Sequence, residues 1–163
     1  MLEEALVQKY RQKGILVDTS LLVAYVIGTL GVRHLVNCRA TKHFTQDDFG
    51  LLVGILGRFT NVVTTTHVLT EVSNLAGKLP KSLHDNFRLV FLKAINQLSE
   101  QSLPAKKIAS DNDFINFGIT DTAIRLISPG SYLVLTDDLP LFGLLGKRGV
   151  DVVNFNHLRP LVW

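Results

Sequence analysis

The stretch ILVDTSLLVAYVIG, residues 15–28, predicts a buried strand at residues 15–18 that leads directly into a helix. Its first three residues are apolar and follow Gly14, which is typical of a strand covered on both faces. One acid, Asp18, interrupts the apolar run. A carboxylate without partners in such surroundings costs several kcal/mol or stays protonated. The position of Asp18 therefore indicates a specific role for its side chain.

Composition limits the class of protein. The chain has 163 residues, of which 47% are hydrophobic and 19% charged, and this predicts a single domain over residues 1–163 with a substantial core. Its one cysteine, Cys38, excludes an intramolecular disulfide, and the first residues, MLEEALVQKY, do not resemble a secretory signal. We therefore expect a cytoplasmic protein. The formal net charge of +3 permits a nucleic-acid partner without requiring one.

Residues 14–32 form an apolar window about as long as a membrane span. Asp18, Thr19, Ser20 and three glycines interrupt it, and its first residues have the composition of a strand. A strand followed by a helix is the better interpretation, so no membrane association is expected.

The remaining sequence alternates between strand and helix patterns. Residues 1–13 predict an extra N-terminal helix with Leu2, Leu6 and Tyr10 on one face, and Thr45 with Asp48 predicts a capping box. The other predicted strands are at 61–66, 131–136 and 150–155. The other predicted helices are at 20–30, at 45 to about 58, at 67–77 with Thr66 as its cap, after Pro80 with an apolar stripe that includes Ile95, at 120–128 and at 139–149. Residues 110–118 predict an irregular acidic segment. This alternation predicts an α/β three-layer sandwich with a central, mostly parallel sheet.

Acidic residues occur where the strands of this predicted sheet end. Asp18 and the pair Asp137-Asp138 follow strands directly, whereas Glu71 and Asp121 lie early in the helices near the same edge. Each has a structural alternative: Asp18 and Asp138 as helix N-caps, Glu71 as a solvated acid, and Asp121 as a favourable charge at a helix N-terminus. Ligand-binding groups of open parallel sheets collect beyond the carboxyl ends of the strands, and the whole series therefore indicates one acidic site.

These residues resemble the PIN-domain ribonucleases. The matching segments are VDTSLLVAYV (17–26), TTTHVLTEVSNL (64–75), GITDTAIRLI (118–127) and VLTDDLPL (134–141), and the resemblance covers residues 15–155. It implies a PIN-like fold, metal-binding acids at Asp18, Glu71, Asp121 and one or both of Asp137 and Asp138, and supporting hydroxyls at Thr19, Ser20 and Thr136. The helix at 1–13 and the basic segment 33–43 depart from the family pattern, and the resemblance assigns them no role.

The chemistry of such a family explains why acids collect. Hydrolysis of a phosphodiester requires an activated water and a counter-charge for the phosphate, and Mg²⁺ or Mn²⁺ bound by carboxylates supplies both. The resemblance therefore implies a metal-dependent endoribonuclease. Because many small members of the family act as toxins, it also suggests a role as the toxin of a toxin–antitoxin pair, with an antitoxin protein as the partner. The alternative is a catalytically silent PIN-like module for RNA binding or assembly.

Side-chain alternation distinguishes the two acids of the Asp137-Asp138 pair. If strand geometry continues through the pair, Thr136 and Asp138 point to one side and Asp137 to the other. We therefore expect Asp138 to be the main ligand and Asp137 an outer partner; the alternative is that the chain turns into the next helix early enough to bring Asp137 inward.

Clustered basic residues suggest RNA, in single-stranded form, as the substrate. They are Arg33, Arg39, Lys42, Lys78, Lys81, Lys106, Lys107, Lys147 and Arg148, each with ordinary solvated surface as its alternative. The sequence leaves homodimer formation open.

Other combinations of polar residues have weaker patterns. The spacing of His34, Cys38 and His43 fits no closed zinc site well. His67 precedes Glu71 by one helical turn, which predicts a local contact between the two side chains.

A phosphoryl-transfer receiver or phosphatase would also place an Asp after the first strand. Receivers need an acidic pair before that strand end, and the phosphatases need a second Asp at position 20, where this chain has Ser20. Asp111 and Asp113 could join the acidic site, but a solvated loop or a helix cap is the simpler interpretation of both.

Overall fold

The computed structural model describes residues 4–159, apart from the side chain of Ala76. It contains one five-stranded sheet in which every strand pair is parallel, with the strand order β3-β2-β1-β4-β5. The strands are β1 (Ile15–Val17), β2 (Val62–Thr65), β3 (Ser99–Gln101), β4 (Leu133–Thr136) and β5 (Val152–Asn154). Helices cover the sheet, and the predicted three-layer α/β sandwich is confirmed.

The described residues form nine α-helices. They are α1 (Glu4–Tyr10), α2 (Thr19–Leu30), α3 (Gln46–Leu56), α4 (Thr66–Ala76), α5 (Lys81–Gln97), α6 (Ala105–Ala109), α7 (Phe114–Ile127), α8 (Leu139–Lys147) and α9 (Phe155–Leu158). A short 3₁₀ helix spans Val32–His34. Within residues 4–159, no helix combines the length and the apolar character needed to cross a membrane.

The stretch at residues 15–28 forms the centre of the fold. All three residues of β1 are buried, and the strand pairs with β2 on one side and β4 on the other. The following helix, α2, buries Leu21, Leu22 and Val26 in the same core. A Cβ at Gly28 would lie 2.2 Å from Cδ2 of Phe49, so only glycine permits this close approach of Phe49 to α2.

The N-terminal helix is shorter than predicted. α1 ends at Tyr10, and residues 11–13 form a turn that leads through Gly14 into β1. Gly14 adopts a φ of +131°, and its N–H donates to Tyr10 O at 2.8 Å. Tyr10 is buried as expected and Leu6 packs partly against the core, whereas Leu2 lies outside the described residues.

Helix α3 and its predicted capping box are confirmed. Thr45 Oγ1 accepts from Asp48 N, and the Asp48 side chain accepts from Thr45 N. The cap predicted for α4 is wrong. Thr65, with extended φ and ψ of −116° and 157°, is the N-cap and accepts from Val68 N, whereas Thr66 is already helical.

The apolar stripe predicted for α5 also needs correction near its end. Phe87, Phe91 and Ala94 are buried, but Ile95 is 37% exposed.

Residues 99–118 contain more structure than the sequence predicts. They form β3, α6 and the first part of α7, which is interrupted at Gly118 with φ +75° and ψ −170°. The strand β3 lies at the edge of the sheet and is not fully buried, so its residues can be polar. Its sequence, Ser99–Gln101, therefore lacks the apolar pattern from which a strand is predicted. Helix α9 was not predicted either, and its N-cap is Asn154, whose side chain accepts from Asn156 N.

Asp111 and Asp113 do not join the acidic site. Arg125 forms ion pairs with both of them. Arg148 donates to the two Asp113 carboxylate oxygens at 3.2 and 2.7 Å.

Candidate functional site

The strand order places the predicted acids at one edge of the sheet. From β1 the chain continues to β2 and β3 on one side, and it then returns to β4 and β5 on the other. The loops that follow β1 and β4 therefore diverge at a topological switch point, where open parallel sheets form their binding crevices. Asp18 follows β1 and the Asp137-Asp138 pair follows β4, so both lie at this crevice.

Asp18 is 5% exposed and both of its carboxylate oxygens accept hydrogen bonds. Leu21 N donates to Oδ1 at 3.1 Å, which makes Asp18 the N-cap of α2, and the Thr136 hydroxyl donates to Oδ2. Burial, followed by the nearby charge of Asp137, raises the pKa of Asp18 to about 7. The structural role as a cap is therefore real, and it coexists with a carboxylate that is hard to ionise.

The Asp137-Asp138 pair does not alternate as predicted, because both residues line the crevice. Asp137 accepts from Ser20 Oγ at 3.1 Å, and His43 Nε2 lies 3.4 Å from the same carboxylate. Asp138 is exposed and is the N-cap of α8, accepting from Leu141 N at 2.9 Å. The chain turns into α8 immediately after β4, so strand alternation ends at Thr136.

Glu71 and Asp121 form the opposite part of the crevice. Glu71 is exposed, and its two oxygens accept from Thr19 Oγ1 at 2.7 Å and from Thr120 Oγ1 at 2.6 Å. Burial, followed by the charges of Asp138 and Glu71, raises the pKa of Asp121 to about 6. Asp121 lies three residues after the Gly118 interruption, in the first turn of the second part of α7.

The resulting crevice, which we call the acid cleft, has a volume of about 420 Å³ and brings together all five predicted acids. Its lining consists of Asp18, Thr19, Ser20, Val23, Ala40, His43, Glu71, Leu75, Asp121, Asp137, Asp138 and Leu141. The predicted supporting hydroxyls of Thr19, Ser20 and Thr136 each donate to a different acid of the cleft, namely Glu71, Asp137 and Asp18.

The carboxylate oxygens of the acid cleft suit a hard cation that retains part of its hydration shell. Within residues 4–159, no three His, Cys, Asp or Glu side chains converge closely enough to form a preassembled metal site. Mg²⁺ typically retains several waters and contacts one or two carboxylates directly, so a wide ring of carboxylates can hold it partly through water. Burial first, and the charges of neighbouring acids second, raise the pKa values of Asp18 and Asp121, and a nearby cation would favour the ionised form of both carboxylates.

The predicted basic residues lie outside this cleft. Among the described residues, no Lys or Arg lines it. Arg33, Arg39, Lys42, Lys78, Lys81, Lys106, Lys107, Lys147 and Arg148 are all exposed. Arg39 and Lys42 are sequence neighbours of the lining residues Ala40 and His43, whereas Arg148 is paired with Asp113.

The three residues considered for zinc have separate environments. Cys38 is buried in the core, and His43 instead faces Asp137 across the acid cleft. The contact predicted between His67 and Glu71 is wrong: within the described chain the buried Nε2 of His67 has no hydrogen-bond partner, and the Glu71 oxygens accept from threonines.

Sequence reasoning missed Thr120 and Asn156 as supporting residues and did not place His43 at the cleft. Thr120 directly precedes Asp121, which is the one signal that could have identified it. Asn156 Nδ2 donates to Asp137 O at 3.0 Å, and only the tertiary structure brings these two residues together.

The fold and the site define a parallel α/β protein with an acidic cleft at the switch point of its sheet. Comparisons with known proteins found no matching family model, no matching curated protein and no matching solved structure.

Proposed function

We propose that this chain is a metal-dependent endoribonuclease of the PIN type that hydrolyses RNA phosphodiester bonds. The observation that carries the proposal is the convergence of five carboxylates in one cleft at the switch point of the sheet. Burial, with the charges of neighbouring acids as the smaller cause, raises the pKa values of Asp18 and Asp121, so these carboxylates ionise only at a cost in free energy. A bound Mg²⁺ or Mn²⁺ would offset this cost.

The carboxylates and the hydroxyls of the cleft have different proposed roles. The carboxylates of Asp18, Glu71, Asp121, Asp137 and Asp138 would hold the cation directly or through water. When bound, the cation would supply a nucleophilic water and charge stabilisation at the phosphate. The hydroxyls of Thr19, Ser20, Thr120 and Thr136 fix the orientation of the carboxylates, as supporting residues of metal sites do.

The surroundings of the cleft favour a single-stranded substrate held by its backbone. Exposed Arg39 and Lys42 flank lining residues on one side, and Lys78 and Lys81 follow the α4 helix that carries Glu71. Cations outside an acidic centre can bind the phosphates on either side of the scissile bond, and such binding weakens as salt increases.

The test is cleavage of a labelled single-stranded RNA by purified protein in Mg²⁺ or Mn²⁺, with EDTA added to a parallel sample. We expect cleavage only with the metal and a loss of at least about 100-fold in Asp121→Asn and Glu71→Gln. Asp85→Asn is the matched control, because Asp85 is exposed on α5 and does not line the cleft. Cleavage that continues unchanged in EDTA would contradict the metal mechanism.

Two observations favour the alternative, a catalytically silent PIN-like module for RNA binding or assembly. Asp18 and Asp138 have structural roles as N-caps, and the described residues contain no preassembled ligand set. The alternative predicts RNA binding that does not depend on metal, no turnover, and equal behaviour of wild type and Asp121→Asn.

The toxin–antitoxin role is a further part of the proposal and rests on the resemblance alone. It predicts that expression of the wild-type chain arrests growth and that Glu71→Gln relieves the arrest. Equal growth of cells that express either protein at the same level would contradict the toxin role and leave the nuclease proposal intact.

A further inference from the structure

The basic segment 33–43 ends at the acid cleft. Its apolar side chains Leu35 and Cys38 are buried in the core, and buried Thr41 donates from Oγ1 to Leu35 O at 2.8 Å. Phe44, which follows the segment, is also buried and lies 4.3 Å from the His43 ring, centroid to centroid. These anchors on both sides hold His43 at the cleft with its side chain 48% exposed.

Arg159 holds the same segment from the other end of the chain. Its Nη2 donates to His43 O at 2.6 Å, and its guanidinium makes two hydrogen bonds to the buried Asp48 carboxylate, at 3.0 and 2.8 Å. It also lies over the Phe44 ring, 5.7 Å from the centroid. Paired donors of this kind fix a guanidinium in one orientation, so the position of His43 O is fixed with it.

Arg159 also connects this segment to the opposite wall of the cleft. Its Nη1 donates to Asn156 Oδ1 at 3.2 Å, and Asn156 Nδ2 donates to Asp137 O at 3.0 Å. The backbones of His43 and Asp137 are therefore held by one network, while their side chains face each other across 3.4 Å.

We propose that His43 is a substrate-binding residue of the acid cleft, which donates an N–H to a phosphate oxygen of the RNA, and that Arg159 is the positioning residue that holds it there. This inference rests on the proposed nuclease function.

The composition of the cleft is the reason for a donor at this position. Among the described residues, His43 is the lining residue that offers a side-chain N–H, whereas the Thr19 and Ser20 hydroxyls already donate to carboxylates. A phosphate that enters the cleft brings oxygens that a cation alone does not saturate. The 3.4 Å separation from Asp137 is long for a hydrogen bond, so little is lost when the imidazole turns to a phosphate. The neutral ring retains an N–H, and the contact therefore needs no change of protonation.

The first experiment compares His43→Leu and His43→Gln in the metal-dependent cleavage assay. We expect His43→Leu to lower kcat/KM about tenfold or more, because a charge-assisted hydrogen bond to phosphate is lost. His43→Gln, which keeps an N–H donor, should recover most of this loss. His34→Leu is the matched control from the same segment and should behave as wild type.

Two further measurements separate binding of substrate from a general structural effect. The Mn²⁺ affinity and the melting temperature of His43→Leu should stay close to the wild-type values, since the side chain is half-exposed and is not proposed as a ligand. A fall in Mn²⁺ affinity as large as the fall in kcat/KM would overturn the role in substrate binding.

The second experiment tests the positioning role of Arg159 with a double-variant cycle. Arg159→Met should lower kcat/KM by misplacing His43, and the double variant with His43→Leu should be no worse than the more damaged single variant. Arg159→Lys should recover part of the activity, because one donor remains. The control is Arg58→Met, which removes an exposed pair with Glu4 away from the cleft. Fully additive losses would overturn the positioning role.

The outcomes distinguish this inference from the proposed function. If wild type cleaves RNA, Asp121→Asn does not, and His43→Leu cleaves normally, the inference is wrong and the nuclease proposal stands. If wild type does not cleave, the RNA dissociation constant in Mn²⁺ is compared instead. A fivefold or larger increase in His43→Leu would then support the contact with phosphate, and an unchanged constant or absent binding would overturn it.

Discussion

Asp18 has two physical roles at once. Its carboxylate caps α2 through Leu21 N and accepts from Thr136, so it is fully hydrogen-bonded inside an apolar run. These bonds favour the ionised form, but burial and the charge of Asp137 outweigh them and raise the pKa to about 7. A carboxylate held in this way is costly to ionise without a counter-charge, and this property is compatible with a ligand for a divalent cation.

Asp18→Asn should increase stability in the absence of metal, and the increase should grow as pH rises. The carboxyl titrates near its ordinary pKa in the unfolded chain and at about 7 in the folded one, so its contribution to stability falls as pH rises between these values. The pKa shift of Asp18 corresponds to a loss of unfolding free energy of about 4 kcal/mol at most. The variant recovers only part of this loss, because its hydrogen bond with Thr136 is weaker. Thermal unfolding in EDTA should show a larger gain at about pH 8 than at about pH 5. An equal change at both values would contradict burial of the charge as its cause.

Substitutions within the Asp137-Asp138 pair should lower the pKa values of two different acids. Burial is the largest cause of the raised pKa of Asp18 and of Asp121; in addition, the charge of Asp137 raises the pKa of Asp18, and the charge of Asp138 raises that of Asp121. We therefore expect Asp137→Asn to lower the pKa of Asp18 alone and Asp138→Asn to lower that of Asp121 alone. Carboxyl carbon titration by NMR in EDTA measures both. If one substitution lowers both pKa values, the acids of the cleft form a single coupled group.

At the level of elements, the site depends on where each strand stops and the following helix starts. Asp18, Thr65 and Asp138 are the N-caps of α2, α4 and α8, which follow β1, β2 and β4 directly. Each cap ends the alternation of its strand and fixes the direction of the next helix. The Thr65 cap thereby determines the direction in which Glu71 projects from α4.

Thr65→Ala should destabilise the protein more than Thr66→Ala. Thr65 is buried and accepts from Val68 N, and loss of an N-cap typically costs about 1–2 kcal/mol. Thr66 is exposed and donates to Glu100 on the edge strand, so its loss should stay within about 0.5 kcal/mol. Urea unfolding of the two variants measures the difference. Equal losses would place the start of α4 one residue later than the structure has it.

At the level of the whole molecule, the strand order creates the acid cleft. β1 and β4 are neighbours in the sheet although more than a hundred residues separate them, and the hydrogen bond from Thr136 to Asp18 joins their carboxyl ends. The cleft therefore depends on the pairing of β4 with β1. Its stability depends on the central strands that also form the core.

Mn²⁺ should stabilise the folded protein, and more so as pH rises. A cation bound by the folded state alone raises the melting temperature, and it must compete with protons for Asp18 and Asp121, whose pKa values are about 7 and about 6. The increase in melting temperature caused by millimolar Mn²⁺ should be larger at about pH 8 than at about pH 5.5. The Asp121→Asn variant should lose much of it, and Asp85→Asn should retain it. An increase that does not depend on pH would argue against binding by these carboxylates.

The sequence predicted the features that depend on local patterns. The buried strand predicted at residues 15–18, which ends at Val17 in the structure, the apolar helix after it and the Thr45–Asp48 capping box follow from hydrophobic periodicity and capping chemistry, which act over a few residues. The acids at the ends of the strands were identifiable for the same reason. Element boundaries were less accurate, as at Thr65 and Tyr10, because the last residue of an element is fixed by tertiary packing.

Only the tertiary structure decided which residues share the cleft. The polar edge strand β3 has no apolar pattern, since it is stabilised by pairing with β2. The orientation of Asp137 depends on how tightly the chain turns into α8, and the placement of His43 depends on Arg159, more than a hundred residues away. These contacts join segments that are distant in the chain, and a local pattern cannot encode a partner that only the fold brings near.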